Sequence, residues 1–226
     1  MNCDEIIVKL KFHANPKNVA GMKRYGINSR NMLGVSIPFL RALAKEIGKN
    51  HNLALELWDS EIHEAQILAG LTDDPKQVSE KQMSSWVKDF DSWGICDQVC
   101  SNLFDKTPFA YEKAVEWTKV ESEYIKRAGF VLMACLSVHD KQAIDSQFES
   151  FFPIITREST DERNFVRKAV NWALRQIGKR NRYLNRKAIR QAEQISRIDS
   201  KSARWIAADA LRELSGPVVK RKLGLH

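Results

Sequence analysis

Hydrophobic positions in this chain recur at intervals of three and four residues over most of its length, which is the spacing of a helix that buries one face. The pattern is visible in VSIPFLRALAKEIG, AYEKAVEWTKV, YIKRAGFVLMACL, NFVRKAVNWALRQIG and SARWIAADALREL. The segments that interrupt it are short and polar, as in TDDPKQ, DFDSWG, TREST and RIDSKS. The sequence therefore predicts an all-α protein with short connections.

Helix starts are predicted at three of these interruptions. Ser36 precedes Ile37-Pro38, and a proline is favoured in the first turn because its missing N–H is not needed there. Thr107-Pro108 repeats this pattern, and residues 199–202 offer capping side chains before ARWIAADAL.

A repeat emerges when the interruptions are aligned. Equivalent positions on five helices fall at Ala65, Asp97, Ala128, Ala169 and Ile206, with separations of 32, 31, 41 and 37 residues. Each unit reads as a helix pair whose apolar face must be covered by the next pair. This predicts one domain over residues 1–226, a curved α-α superhelix of about five or six HEAT-like helix pairs. Because the period is irregular, a helical bundle without repeats is the alternative.

Composition narrows the class of protein. Gly (10) and Pro (6) are scarce among the 226 residues, and no apolar run is long enough to cross a membrane. The N-terminus lacks a signal-peptide core. The four cysteines have no CxxC spacing and the five histidines no zinc pattern, so we expect a cytoplasmic protein without metal or cofactor. Cys96 and Cys100, four residues apart, are expected to be buried thiols.

Charge is unevenly distributed along the chain. The net charge is +8, but residues 151–226 hold 18 Lys+Arg against 7 Asp+Glu, a net of +11, and residues 1–150 hold 18 against 21, a net of −3. The densest basic run is 179–191. A polyanionic partner is predicted for the C-terminal part. A solvated helical face is the alternative, and membrane binding is disfavoured because the run lacks an apolar opposite face.

Candidate chemistry lies on the second helix of each predicted pair, which lines the concave side of a solenoid. Trp93 and Asp97 are four residues apart and so share a helix face. Cations for phosphates and rings for bases or sugars are typical of a nucleic-acid groove. The candidate residues on this surface are Asp97, Trp93 and Trp172, and the cations Lys126, Arg127, Arg167, Lys168, Arg175 and Arg204. The alternatives are that the tryptophans are core residues and that Asp97 is either the structural partner of a neighbouring arginine or a solvated helix residue.

Four motifs along most of the chain carry a family resemblance. They are LGV-x-x-P-x-LR-x-LAK over 33–45, Trp93-x-x-x-Asp97, K-R-A around Arg127, and RKA-x-x-W-x-LR over 167–175. With these motifs the sequence resembles the AlkD-like family of DNA alkylation repair proteins, which are HEAT-like solenoids. The resemblance implies a monomeric DNA glycosylase that removes cationic alkylated purines from duplex DNA.

The resemblance also implies roles for individual residues. Asp97 would stabilise positive charge on the deoxyribose, Trp93 and Trp172 would face the cationic nucleotide, and Arg127 would hold a phosphate. The chain departs from the family pattern at Gly94, which favours a looser helix start that would shift Asp97. The family also contains branches without known excision activity, so the alternative is a non-catalytic HEAT-repeat module that binds damaged or branched DNA.

Overall fold

The computed structural model describes residues 1–27 and 30–225, and this part of the chain contains fifteen α-helices and no β-strand. The prediction of an all-α protein is confirmed. The chain divides into two compact units, Met1–Pro108 (unit 1) and Phe109–His226 (unit 2). The expectation of one domain over residues 1–226 stays a prediction. None of the described helices is both long and apolar enough to cross a membrane.

Unit 1 contains seven of the described α-helices, with a 3-10 turn after the sixth and another after the seventh. They are α1 (Cys3–Phe12), α2 (Pro16–Arg24), α3 (Ile37–Ile47), α4 (His51–Asp59), α5 (His63–Thr72), α6 (Glu80–Trp86) and α7 (Trp93–Asn102). Helix α5 packs against α3, α4 and α7 and is buried along nearly its whole length. It is therefore the central helix of unit 1.

Unit 2 contains the other eight described helices. They are α8 (Ala110–Trp117), α9 (Glu123–His139), α10 (Asp145–Glu149), α11 (Phe152–Glu158), α12 (Asn164–Gly178), α13 (Arg182–Ile195), α14 (Lys201–Leu214) and α15 (Pro217–Leu223). Helix α12 packs against α9 on one side and α14 on the other, while α8, α11 and α13 pair with α9, α12 and α14 respectively. Unit 2 is thus a stack of helix pairs with α9, α12 and α14 side by side.

The five predicted repeat positions all lie on second helices of pairs. Ala65, Ala128, Ala169 and Ile206 lie on α5, α9, α12 and α14 and have no exposed surface. Asp97 takes the corresponding place on α7 and is half-buried. Four positions therefore carry the small or apolar side chains that close packing requires, and the polar one is the exception.

Two of the three predicted helix starts are confirmed. Ser36 Oγ accepts the backbone N–H of Phe39 at 3.4 Å, and Ser200 caps α14 in the same way. Thr107 does not start a helix: its hydroxyl donates to the Phe104 carbonyl at 2.8 Å, and α8 begins only at Ala110. The preceding 3-10 turn supplies an acceptor for Thr107, so its side chain closes that turn instead of capping a helix.

The LGV segment before α3 is fixed by a buried carboxylate of α5. Glu64 accepts the backbone N–H groups of Leu33 (2.9 Å) and Gly34 (2.6 Å). Gly34 has φ +77, and a Cβ there would lie 2.3 Å from the carbonyl oxygen of Asn15. Only glycine suits this position, because both the backbone angle and the close approach exclude a side chain.

Candidate functional site

Trp93 and Asp97 share the half-exposed face of α7, as their spacing predicts. Both side chains are half-buried, whereas Ile95, Cys96 and Val99 on the other side of the helix are buried. Ser92 Oγ accepts the Ile95 N–H, so the helix begins at Trp93. The burial expected for Cys96 and Cys100 is confirmed, since neither has more than a trace of exposed surface.

The Trp93 ring is held by a residue that the sequence did not single out. Its indole Nε1–H donates to the carbonyl oxygen of Tyr25 at 2.9 Å. The Tyr25 side chain is 77% exposed, so the residue whose carbonyl accepts this hydrogen bond also presents an aromatic ring to solvent. The two residues are 68 positions apart, and no local pattern could have paired them.

Gly94 does not loosen the start of α7, contrary to the expectation from the sequence. It is buried, and a Cβ at this position would lie 3.1 Å from Ile27 Cδ1 and 3.6 Å from His63 Cε1. The glycine therefore lets the first turn of α7 approach α5 and the segment after α2. Close packing, together with the Ser92 cap, fixes the turn that carries Trp93.

Lys126 and Arg127 at the start of α9 are both only 6% exposed. The Lys126 ammonium pairs with Glu158 at 2.9 Å, and Glu121 and Asp161 lie 3.5 and 3.9 Å away. Its charge is therefore surrounded by carboxylates, which makes Lys126 a poor candidate for the phosphate contact that the sequence suggested.

Asp161, one of the acids around Lys126, is stabilised by a second cation, Arg163. Burial by itself would raise the pKa of Asp161, but hydrogen bonds from Arg163 and the charges of Arg163 and Lys126 outweigh it and lower that pKa. The Arg163 guanidinium also donates to the Glu121 carbonyl. This end of α9 is consequently less positive than its sequence suggests.

Arg127 binds the backbone of the neighbouring second helix. Its Nη1 donates to the Phe165 carbonyl at 2.6 Å, at the first turn of α12. Because Arg127 is almost fully buried, its hydrogen bond links α9 to α12 and little of its side chain faces solvent. The guanidinium still contributes positive potential, but one of its N–H donors is already hydrogen-bonded to the protein backbone.

Helix α12 and helix α14 bring cations and aromatic rings together within unit 2. The Arg167 Cζ lies 5.0 Å from the centroid of the Trp205 ring, and Trp205 is 37% exposed. Lys168 and Arg204 are exposed, and Trp172 is half-buried one turn further along α12. We call Arg167, Lys168, Arg204 and Trp205 the cationic-aromatic patch.

Two further cations predicted to bind DNA differ in how far they are neutralised. Arg175 pairs with Glu213 and lies 3.5 Å from Asp209, and Lys179 pairs with the same Glu213 at 2.6 Å. Arg175 is therefore a link between α12 and α14. Arg204 pairs at 2.8 Å with the fully exposed Asp199, and such surface pairs are weak and open readily.

The two units differ in charge. Unit 2 holds 23 Lys+Arg against 14 Asp+Glu, a net of +9, while unit 1 holds 13 against 14, a net of −1. A cavity of about 560 Å³ in unit 1 is acidic, since its described lining includes four acids, Asp59, Glu61, Asp89 and Asp91, and two cations, Arg30 and Lys88. Phosphates are therefore attracted to unit 2 and repelled from this cavity.

Taking each unit by itself, the described side chains of His, Cys, Asp and Glu do not bring three ligand atoms close enough to share an ion.

The comparisons with known proteins cover nearly the whole chain. Residues 6–214 match the model of a family described as DNA alkylation repair enzyme. The chain belongs to this DNA alkylation repair family. An uncharacterized protein of Listeria innocua serovar 6a, Lin0241, is 23% identical over 199 residues, which cover 86% of this chain and 87% of that protein.

A solved structure shares the fold. It matches with a TM-score of 0.78 and 20% identity over 95% of this chain and 96% of its own, and it is described as representing a new family of proteins related to the HEAT-like repeat DNA glycosylases with affinity for branched DNA structures. The HEAT-like repeat fold predicted from the sequence is thereby confirmed.

Two of the motifs that carry the family resemblance have structural explanations in this member of the DNA alkylation repair family. In the LGV motif, Gly34 and its neighbour are fixed by Glu64. In the segment 167–175, Arg167 stacks on Trp205 and Arg175 pairs with Glu213. A motif match alone therefore does not identify which cations contact a ligand.

Proposed function

We propose that this protein is a DNA glycosylase that hydrolyses the N-glycosidic bond of cationic alkylated purines in duplex DNA. The observation that carries the proposal is the pairing of Trp93 with Asp97 on the half-exposed face of α7, in a member of the DNA alkylation repair family. An indole face and a carboxylate both attract positive charge, so together they suit a cationic nucleotide.

The reaction requires a negatively charged carboxylate near the sugar, and it does not require a general acid to protonate the leaving base. Alkylation of a purine ring nitrogen makes the base cationic and weakens its bond to C1′ of the sugar. When that bond breaks, the electron pair goes to the purine, which leaves as a neutral base, and positive charge develops on the deoxyribose. Asp97 stabilises this charge and orients a water molecule, whose oxygen bonds to C1′ while its proton passes to solvent.

The aromatic side chains attract the charged nucleotide before the bond breaks. We assign this role to Trp93 and Trp172, each contributing about 0.5–2 kcal/mol through cation–π attraction. The hydrogen bond from Trp93 to the Tyr25 carbonyl fixes its ring, which lowers the entropy lost on binding.

Unit 2 supplies the electrostatic attraction for the DNA backbone. We assign phosphate contacts to Arg167, Lys168 and Arg204, which have exposed or partly exposed side chains in the unit with a net charge of +9. Arg127 acts instead as a positioning residue, because it already donates to the Phe165 carbonyl. Affinity supplied by such cations falls steeply as salt rises.

A second candidate function is a non-catalytic module that binds damaged or branched DNA. Two observations favour it. The similar solved structure represents proteins with affinity for branched DNA, and Arg127 and Arg175 are engaged by the protein itself. A binding module needs the cationic-aromatic patch but has no use for Asp97.

One assay separates the two candidates. The protein is incubated with a methylated duplex and with the same duplex unmethylated, and released free base is quantified by chromatography. Base release from the methylated duplex alone, lost in Asp97→Asn, supports the glycosylase. Tight binding of DNA by the parent protein with no release of base from any methylated duplex supports the module.

A further inference from the structure

A second cationic feature lies in unit 2, away from the cationic-aromatic patch. The turns after α9 and α12 border a cavity of about 370 Å³, which we call the lysine pocket. No acidic residue is among its described lining residues, which are Ser137, Val138, Lys141, Gln176, Lys179, Arg180, Asn181 and Lys222. Four of these eight carry a positive charge, so the pocket is built for an anion.

Arg180 supplies a fixed positive charge to this pocket. Its Nη1 donates to the Ser137 carbonyl at 3.0 Å and its Nη2 to the Ala143 carbonyl at 2.9 Å. Its Cζ lies 4.5 Å from the centroid of the Phe148 ring. All three partners are neutral, so they hold the guanidinium in place without cancelling its charge.

The three lysines of the pocket differ in whether they form an ion pair within the protein. Lys179 pairs with Glu213, which Arg175 also contacts, so two cations share one carboxylate there. Lys141 and Lys222 are exposed, and within the described chain neither has an ion pair. These two side chains can therefore close on a ligand.

The acidic groups near the pocket already accept hydrogen bonds from other parts of the protein. Asp145 accepts from the Asn181 amide at 2.7 Å, and Asp140 accepts from the Tyr111 hydroxyl at 2.9 Å. Asp140 Oδ1 also accepts two backbone N–H groups of the turn that carries Lys141. These two acids lie outside the described lining and hold the turns that carry Lys141 and Asn181, so the charges of the lining itself are all positive.

The lysine pocket and the cationic-aromatic patch lie at opposite ends of α12. Arg167 and Lys179 are twelve residues apart, which is about 18 Å along a helix. A DNA segment that is seated on the patch and runs across α12 leaves the pocket available to a second segment. A branched molecule offers two backbones at once, and a second point of attachment within one complex raises affinity through its effective concentration.

We infer that the lysine pocket is a second DNA-backbone site, which takes phosphates of a second arm when the cationic-aromatic patch holds the first. The inference rests on the DNA binding assigned under the proposed function, and it does not depend on excision. It makes the protein prefer branched DNA over an unbranched duplex.

The test uses the full chain with Lys141→Glu and Lys222→Glu combined. Binding is measured over a range of salt concentrations to a three-way junction and to an unbranched duplex of matched length. We expect the variant to lose roughly tenfold in junction affinity and no more than about twofold in duplex affinity. The salt slope for the junction should fall by about 2, because each of the two lysines would no longer neutralise a phosphate.

The matched control is Arg186→Glu with Arg190→Glu on α13, where both residues are exposed. It changes the net charge by the same amount, so it should lower affinity for both DNAs alike. The milder pair Lys141→Gln and Lys222→Gln, checked by circular dichroism, guards against misfolding and should lower junction affinity in the same direction.

Two results would overturn the inference. One is equal loss of junction and duplex affinity in the Lys141/Lys222 variant. The other is unchanged junction affinity in a variant that is folded. If the parent binds no DNA at all, the proposed function fails as well, whereas duplex binding that depends on Arg167 and Lys168 but is unaffected by the pocket leaves the proposed function standing.

Discussion

At the scale of single residues, Asp97 is the exception among the repeat positions. The four equivalent positions are small or apolar and fully buried, and Asp97 is a half-buried carboxylate. A carboxylate near DNA phosphates lowers affinity, so the glycosylase proposal gives Asp97 a role that DNA binding alone does not.

Asp97→Asn should retain the fold and most DNA affinity but lose most excision. The amide keeps the shape of the side chain and removes the negative charge that opposes the sugar cation. Loss of one oriented group of this kind raises the barrier by about 2.7–4 kcal/mol, which is roughly a hundredfold to a thousandfold in rate. Single-turnover release of methylated purine measures it, with exposed Asp59→Asn as control. Excision at the parent rate would make Asp97 a structural residue.

Gly34→Ala should destabilise unit 1 more than Gly48→Ala. Both glycines have positive φ, +77 and +76, so alanine is strained at each by about 1–3 kcal/mol. Only at Gly34 does the new Cβ also collide, 2.3 Å from the Asn15 carbonyl oxygen, while Gly48 has open space. Urea unfolding of the two variants compares the costs. Equal costs would show that the LGV segment moves without strain.

At the scale of helices, side chains of α12 bind α14 about one repeat further along the chain. Asn171 donates to Asp209 at 2.7 Å, and Arg167 stacks on Trp205. Glu213 accepts from both Arg175 and Lys179. The packing of α12 against α14 is therefore stabilised by polar contacts as well as by their buried apolar faces.

Glu213 should make part of the stability depend on pH. Burial alone would raise the pKa of Glu213, but hydrogen bonds from Lys179 and Arg175 outweigh it and lower that pKa below its ordinary value of 4.5. Its contribution is therefore complete above pH 4.5 and is lost as the pH falls through the lowered pKa.

Replacing Glu213 with glutamine should remove this dependence. At neutral pH, Glu213→Gln should be less stable than the parent by about 1 kcal/mol, because the pair is partly exposed. In acid the difference should shrink. Unfolding free energies at about pH 7 and about pH 3 test this, with the exposed Glu193→Gln as control. A constant difference between the two pH values would mean that the Glu213 charge contributes nothing.

At the scale of the whole molecule, charge is what distinguishes the two units. Unit 2 has a net charge of +9 and unit 1 a net charge of −1, so the long-range attraction that the proposed DNA binding requires comes from unit 2. The acidic cavity of unit 1 reinforces this difference.

Reversing charge in the cationic-aromatic patch should weaken DNA binding far more than reversing it in unit 1. Arg167→Glu, Lys168→Glu and Arg204→Glu combined should cost at least about tenfold in affinity and lower the salt slope, because each cation bound to a phosphate releases counterions. The control reverses Lys9, Lys11 and Lys17, an equal change in charge. Equal losses from the two sets, measured by titration at several salt concentrations, would point to a partner other than DNA.

The sequence by itself determined the helical architecture and the face that carries the candidate chemistry. Helical periodicity is a local property, so the repeat positions on α5, α7, α9, α12 and α14 could be identified without coordinates. The same holds for the sharing of one α7 face by Trp93 and Asp97, which follows from their spacing, and for the Ser36 cap, which follows from neighbouring residues.

Only the tertiary structure decided which charges are available. Lys126 and Arg175 look identical to phosphate-binding cations in the sequence, yet each is neutralised by carboxylates 32 to 38 positions away. The hydrogen bond from Trp93 to the Tyr25 carbonyl spans 68 positions. A charge or a hydrogen bond is satisfied by whatever lies within a few ångströms in space, and distant parts of the chain become neighbours only when the helices stack.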